Sequence, residues 1–193
     1  MHLEIRDLTP ELWPAVEKLF GKNGASSGCW CMFWRLKAGE PYGVLKGPAL
    51  KRRFKARVAG GDIQGALAFA DGEPVGWVTY GPRTAFPRLE RSPGLACADV
   101  GQVWSVPCFF IKAGFRKQGL ASRLLGHAVE RMRAQGAPWA EGYPVQPKPD
   151  GGPHPAGFSY TGTVAMFAKA GFQLAAPPVH AKVRMRRALK PSG

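Results

Sequence analysis

The chain has 193 residues, of which 45% are hydrophobic, and its formal net charge is +14. A chain of this length buries a core of its own, so we expect a single domain over residues 1–193. No run approaches the ~18 consecutive apolar residues that a membrane-spanning helix requires. The positive charge attracts anionic cofactors and polyanions, but no nucleic-acid-binding motif interleaves the basic residues, which argues against nucleic acid as a partner.

The first seven residues mix charged side chains into what would be the apolar part of a secretion signal, so we expect a cytoplasmic protein. Residues 3–8 alternate as a strand does, and the apolar residues that follow recur at the spacing of one helix face. Those residues are Leu12, Val16, Leu19 and Phe20. Residues 22–47 are rich in glycine and aromatic residues without a clear period, which predicts a loop region with one helical turn.

Two cysteines in this region flank a tryptophan, in the order Cys29, Trp30, Cys31. A zinc site of the usual spacing needs a Cys-x-x-Cys pair and a second cluster of ligands, and the sequence has neither. We therefore predict no metal. We expect reduced thiols that pack beside the aromatic residues up to Trp34.

A second helix is predicted from Pro48, a residue suited to the first helical turn, to the Gly60–Gly61 pair. Its buried stripe consists of Leu50, Phe54 and Val58, and its basic residues are expected to face solvent. Two β-prone runs follow at residues 63–70 and 74–80. Asp71-Gly72 between them predicts an antiparallel hairpin.

An aromatic and β-branched run over residues 103–111 predicts the next strand, and Pro107 within it predicts an edge, a splay or a bulge. A helix follows from Gly119 to about Gln135, with Gly136 at its end. Its inner face is formed by Leu120, Leu124, Ala128 and Met132. The remaining predicted elements are a strand at residues 139–145, a loop at 144–157, a short helix at 163–170, and a hairpin of residues 172–174 and 183–185.

The turn before the long helix reads Arg116-Lys117-Gln118-Gly119-Leu120-Ala121. Backbone N–H groups at the start of a helix lack intrahelical partners and lie at the positive end of its dipole, so such a turn can hold a phosphate group. Gly119 lets the backbone approach an anion closely, and basic side chains add charge. A short basic turn is also typical of an ordinary exposed loop, so its context decides between the two.

That context resembles motif A of the GNAT acetyltransferases, because Arg-x-x-Gly-x-Ala follows an aromatic-aliphatic strand and precedes an amphipathic helix. Gly76-Trp77-Val78 is similar to the family's second and third strands, and residues 167–172 to its late helix ending in Gly-Phe. The resemblance covers about residues 3–187. It implies an α/β (α+β) fold with a mixed, mostly antiparallel central sheet flanked by helices. It also implies a splay between the motif-A strand and the next strand, and an N-acetyltransferase with acetyl-CoA as cosubstrate.

Carried onto this sequence, the resemblance implies that backbone groups of Phe109 and Ile111, with Phe110 between them, bind the pantetheine arm at the splay. A backbone donor near Phe109 would stabilise the oxyanion that develops at the thioester. The residues implied in pyrophosphate binding are Arg116, Lys117, Gln118, Gly119, Leu120, Ala121 and Ser122.

The sequence departs from the family's catalytic pattern at two positions. Ser105 stands where many relatives carry a carboxylate that takes the proton of the amine, and Phe167 stands where many carry a tyrosine that protonates the leaving thiolate. We predict Ser105 and Tyr160 as the catalytic residues. The alternatives by sequence position are Asp99, Glu141 and Tyr143.

The acceptor amine is not identified by the sequence, although residues 30–34 and the loop 144–157 would form a roomy aromatic wall. The net charge argues against polycationic acceptors. Cys108 has no activating neighbour in sequence, so we expect the amine to attack the thioester directly. A homodimer stays open, as do two other functions: a non-catalytic module that binds acyl-CoA, and a basic nucleic-acid-binding protein with steep salt dependence.

Overall fold

The computed structural model describes residues 2–148, 152, 154 and 159–189. Its strands are β1 (Leu3–Asp7), β2 (Gln64–Ala70), β3 (Glu73–Pro82), β4 (Val103–Ile111), β5 (Trp139–Gly142), β6 (Gln173–Leu174) and β7 (Met185–Ala188). They form a seven-stranded sheet in the order β1-β2-β3-β4-β5-β7-β6. Only β4 and β5 pair in parallel, so the predicted mixed, mostly antiparallel sheet is confirmed.

Helices cover both faces of this sheet. The α-helices of the described residues are α1 (Trp13–Phe20), α2 (Tyr42–Leu45), α3 (Pro48–Ala59), α4 (Leu120–Ala134) and α5 (Val164–Lys169). Short 3₁₀ helices lie at Pro10–Leu12, Phe33–Arg35, Arg83–Ala85, Leu89–Arg91, Val100–Gln102, Ala113–Phe115 and Ser159–Thr161. Within the described part of the chain, no helix has the length and apolar character of a membrane span.

The helix α4 packs on one face of the sheet through the residues that the sequence predicts. Leu120, Leu124, Ala128 and Met132 are all buried. Gly136, with φ +76, ends the helix because its N–H bonds back to the Arg133 carbonyl at 2.9 Å. The predicted inner face and terminal glycine are therefore confirmed.

The opposite face carries a core of large aromatic rings. Phe54 of α3 contacts Trp13, Phe20 and Trp77 with ring centroids about 6 Å apart. Leu50, Phe54 and Val58 are buried while Arg52, Arg53 and Lys55 are exposed, as the periodicity predicts. Residues 22–47 contain one short α-helix, α2, as expected. They also contain one short 3₁₀ helix.

Several predicted strand boundaries differ from the structure, and two of them have a direct physical reason. The strand predicted to reach Val145 ends at Gly142, because Pro144 has no N–H to continue a ladder. Val145 forms only isolated bridges, to Thr163 and Lys182. The last strand starts at Met185 instead of Val183, since the Val183 N–H donates to the Pro144 carbonyl at 3.1 Å and not to a neighbouring strand.

The strands β4 and β5 separate partway along their length. They pair from Val103 with Trp139 to Val106 with Gly142, and no further pair joins them. Residues 107–111 continue β4 with β3 as their partner on one side alone, apart from a bulge between Thr79 and Gly81. Pro107 is the first residue of the open stretch, so the splay predicted at this proline is present.

Candidate active site

The open edge of β4 is maintained by close packing at the end of β5. A Cβ on Gly142 would lie 2.0 Å from Phe167 Cε1, so only glycine lets the α5 ring pack against this end of the strand. Phe167 is fully buried and meets Phe109 and Phe172 edge to face, with centroids 6.3 and 5.0 Å apart. Phe167 stands where many relatives carry a tyrosine. In this chain it is therefore a core residue, and its ring packs between the separated ends of β4 and β5.

The turn before α4 exposes a run of unpaired backbone donors. Gly119 adopts the left-handed conformation, with φ +76, and precedes the helix as its N-cap. The N–H groups of residues 117–122 donate to no acceptor among the described residues, and the first helical bond is Arg123 N–H to the Gly119 carbonyl at 3.1 Å. Successive N–H groups around a left-handed residue at a helix start form an anion-binding concavity.

Arg116 joins this turn to the end of β4. Its Nε donates to the Ile111 carbonyl at 2.9 Å, while Lys117 and Arg123 are exposed. The residues predicted to bind the cofactor, Phe109–Ile111 and Arg116–Ser122, thus follow one path from the open strand edge to the helix start. This geometry fits a pantetheine arm followed by a pyrophosphate, and their cofactor-binding role stays a prediction.

Two cavities adjoin each other, and the smaller one lies beside β4. The smaller, about 210 Å³, reaches Cys108, Phe109 and Phe110 of the open stretch. The larger has a volume of about 680 Å³. Both are lined by Phe33, Trp34 and Tyr160, so the two spaces meet at these three rings.

The segment before α2 contributes a strained wall to the smaller cavity. Trp30 and Cys31 have φ of +42 and +51, a conformation that non-glycine residues rarely adopt and that is concentrated at functional sites. Phe33 and Trp34 form the wall as predicted, but Trp30 and Met32 are buried in the core instead. Of the predicted wall 144–157, residues 149–151, 153 and 155–157 lie outside the described residues, and no described residue of that loop lines either cavity.

Tyr160 stands where the two cavities meet. It belongs to a 3₁₀ turn that packs against β4, and its ring centroid is 6.4 Å from that of Trp34. Burial, and next the neighbouring Cys108, raise the pKa of its hydroxyl well above the ordinary value. Tyr160 is therefore protonated at neutral pH, so its O–H is available as a donor and it does not serve as a base.

Ser105 lies deeper, in the paired part of β4. Its hydroxyl is fully buried and 2.6 Å from the Tyr143 hydroxyl, which also accepts a hydrogen bond from Arg83 Nη1 at 2.6 Å. Ser105 lines neither cavity. Its catalytic role stays a prediction, with the structure showing a hydroxyl already committed to Tyr143.

Glu141 and Asp99, the other carboxylate candidates, are both held by arginines. Glu141 is fully buried between Arg83 and Arg186, and it hydrogen-bonds to both. Arg186 also binds Asp99 through two bonds of 2.7 and 2.8 Å, and this holds the pKa of Asp99 well below its usual range. Sequence reasoning missed Arg83; a glutamate in an apolar strand, which needs a buried cation, was the available signal.

Thiols line the smaller cavity, but Cys108 is not poised for nucleophilic attack. The Cys31 thiol, itself an acceptor from Trp77 Nε1 at 3.2 Å, raises the pKa of Cys108 through a hydrogen bond, and burial raises it further. A protonated thiol is a poor nucleophile. No cluster of three or more His, Cys, Asp or Glu side chains that could hold a metal occurs within the described ranges.

Lys182 is a further cation of this site that the sequence did not indicate. Its Nζ lies 4.9 Å from the centroid of the Tyr160 ring and donates to Thr161 Oγ1 at 3.3 Å. Burial lowers the pKa of Lys182 to about 8. The ammonium is therefore mostly charged at neutral pH but close to titrating.

Comparison with known proteins agrees with this geometry. The family model described as the acetyltransferase (GNAT) family matches residues 29–141. An N-acetyltransferase from Staphylococcus aureus Mu50 has a TM-score of 0.60 at 12% identity, with 98% of this chain and 100% of that chain covered. The GNAT domain of PAT from S. lividans has a TM-score of 0.59 at 17% identity, with 97% and 90% covered.

PaiA N-acetyltransferase from Thermoplasma acidophilum, solved in complex with coenzyme A, has a TM-score of 0.50 at 14% identity, with 97% and 99% covered. At these identities the likeness concerns the fold. No curated protein matches the chain in sequence.

Proposed function

The chain belongs to the GNAT acetyltransferase family, and on that basis we propose that it moves the acetyl group of acetyl-CoA to an amine by direct attack of the amine on the thioester. The observation that carries this proposal is the continuity of two features. The open edge of β4 beyond Pro107 leads, through the Arg116 to Ile111 hydrogen bond, to the unpaired N–H groups of residues 117–122.

The cofactor side of the proposal rests on backbone groups. Phe109 and Ile111 offer strand-edge hydrogen bonds to the pantetheine arm, and residues 116–122 offer N–H donors to the pyrophosphate. Space is available there, since a Cβ on Gly119 would meet no atom within 4 Å. When bound, acetyl-CoA supplies the acetyl group as a thioester and leaves as the free thiol.

The acceptor side of the proposal places the amine in the smaller cavity. Its apolar walls exclude water and orient the amine beside Phe109, where a backbone N–H stabilises the developing oxyanion. Tyr160, held protonated by burial, donates a proton toward the departing sulfur. The smaller cavity has no carboxylate among its described lining residues, so the amine's proton leaves to water in the larger cavity.

The direct test is release of the CoA thiol from acetyl-CoA in the presence of a panel of primary amines. We expect turnover that depends on the amine and falls in the Tyr160→Phe variant. Binding of acetyl-CoA without turnover of any amine would instead support a non-catalytic module that binds acyl-CoA. The support for that alternative is that Ser105 and Phe167 stand where many relatives carry a carboxylate and a tyrosine.

A further inference from the structure

The larger cavity is strongly cationic. Lys37, Arg88, Arg91 and Lys182 line it, and Glu40 is its one carboxylate among the described residues. Glu40 is already occupied, because its oxygens accept from Arg53 Nη1 and from the Lys37 N–H, both at 2.8 Å. Among the described lining residues, no carboxylate therefore pairs with Arg88 or Arg91.

Arg88 is the cation best placed to bind a ligand. Its guanidinium stacks over the Phe33 ring at 4.1 Å and makes no hydrogen bond or ion pair with a described residue. Its charge reaches the hydroxyls of Tyr42 and Tyr160, where it opposes the pKa increase that burial causes. Arg91, by contrast, is tied to the Leu36 carbonyl at 2.7 Å.

Lys182 brings a second charge to the same junction, with its Nζ 4.9 Å from the centroid of the Tyr160 ring. Arg88 and Lys182 thus flank the tyrosine at which the apolar cavity opens into the larger one. A fixed guanidinium fork and an ammonium are the groups that bind carboxylates and phosphates in proteins.

We propose that the acceptor amine carries an anionic group, a carboxylate or a phosphate, that Arg88 and Lys182 bind while the amine enters the cavity beside β4. The proposal rests on the proposed acetyl transfer and names the acceptor's class. An apolar body would lie on Phe33 and Trp34, the rings shared by the two cavities.

The test uses acetylated amines, the products of the proposed reaction, because their binding needs no turnover. The probes are matched pairs that differ in the anionic group: N-acetylphenylalanine with N-acetylphenethylamine, and N-acetylphosphoethanolamine with N-acetylethanolamine. Calorimetric titration into the protein saturated with CoA is expected to show at least one anionic probe bound about tenfold tighter than its neutral partner, the effect of one charge-assisted contact.

Variants identify the groups responsible. Arg88→Ala and Lys182→Met are each expected to remove most of this preference, while Arg52→Ala, which removes an exposed charge of α3, leaves it unchanged. A preference for the phosphate pair over the carboxylate pair, or the reverse, identifies the anionic group.

Several outcomes overturn the inference. They are equal binding within both pairs, a preference that survives in Arg88→Ala, and a preference that Arg52→Ala loses equally. If CoA binds but the anionic preference is absent, the inference fails and the acetyl transfer stands. If CoA itself does not bind, the proposed function fails first.

Discussion

The hydroxyls of Ser105 and Tyr143 lie 2.6 Å apart, and these residues stand one before and one after the last β4–β5 pair, Val106 with Gly142. Tyr143 also accepts from Arg83, whose guanidinium binds the buried carboxylate of Glu141. A polar network thus braces the sheet beside the splay. Each buried polar group in it finds a partner, which is the condition under which such networks stabilise a fold.

Replacing Ser105 with alanine tests whether its hydroxyl acts in catalysis or in this network. We predict that Ser105→Ala lowers the free energy of unfolding by about 1 kcal/mol, because Tyr143 loses a hydrogen-bonding partner. We expect kcat to change by less than about threefold, since the hydroxyl lines neither cavity. A fall in kcat of about 100-fold at unchanged stability would instead assign Ser105 a proton-transfer role.

Tyr160→Phe removes one hydroxyl from the junction of the cavities. We predict a fall in kcat of about tenfold or more, with acetyl-CoA affinity and the melting temperature almost unchanged, because a proton donor acts in the transition state. Tyr80→Phe is the matched control, since Tyr80 is a buried tyrosine of the core between the sheet and α4. Equal activity of the two variants would remove Tyr160 from the mechanism.

Glu141→Gln removes the charge that two arginines share. We predict a loss of about 3 kcal/mol or more in the free energy of unfolding, because the buried Arg83 loses its buried counter-ion and keeps only the partly exposed Glu90. The control is Glu130→Gln, whose side chain is 66% exposed and paired with Arg133; its predicted effect is at most about 0.5 kcal/mol. Urea unfolding curves measure both, and similar midpoints would contradict a stabilising role for the network.

The lowered pKa of Lys182 predicts how anion binding depends on pH. Below about 8 the ammonium is charged, and above it the charge is lost, so affinity for an anionic acceptor or product should fall as the pH rises through this value. A bound anion favours the charged ammonium of Lys182, so the fall in affinity occurs at a higher pH than in the free protein. Lys182→Arg should abolish this pH dependence, because a guanidinium stays charged throughout this range. An affinity for the anionic product that stays constant or rises through this range would contradict the role of Lys182 in anion binding.

Most of the architecture is predictable from local sequence patterns. The helix α4 follows from the spacing of Leu120, Leu124 and Ala128, and the β2–β3 hairpin from Asp71-Gly72. These elements are encoded by short-range periodicity and turn chemistry. Pro107 likewise marked the splay, because a missing N–H has a purely local consequence.

The acceptor side could not be predicted in this way. Arg83, Arg88 and Lys182 lie in segments without periodicity, and only the tertiary fold brings them to one region. Arg83 in particular is fully buried, although it belongs to a connection, residues 81–94, that is rich in proline and arginine. Partners that are distant in sequence decide which charged residues are buried. The pattern of residues within one segment carries no information about those partners.

The central claim is that the turn at Gly119 holds the pyrophosphate of acetyl-CoA. Calorimetric titration with acetyl-CoA tests it in the wild type, in Gly119→Glu and in Gly136→Glu. Gly136 is the matched control, because both glycines have φ +76 and neither Cβ would meet an atom within 4 Å. The two substitutions therefore impose the same backbone strain at opposite ends of α4.

We predict saturable binding by the wild type and by Gly136→Glu, and a loss of about 100-fold or more in affinity in Gly119→Glu, where a carboxylate occupies the proposed anion site. Absence of binding by the folded wild type at millimolar acetyl-CoA, or equal binding by the two variants, would contradict the claim.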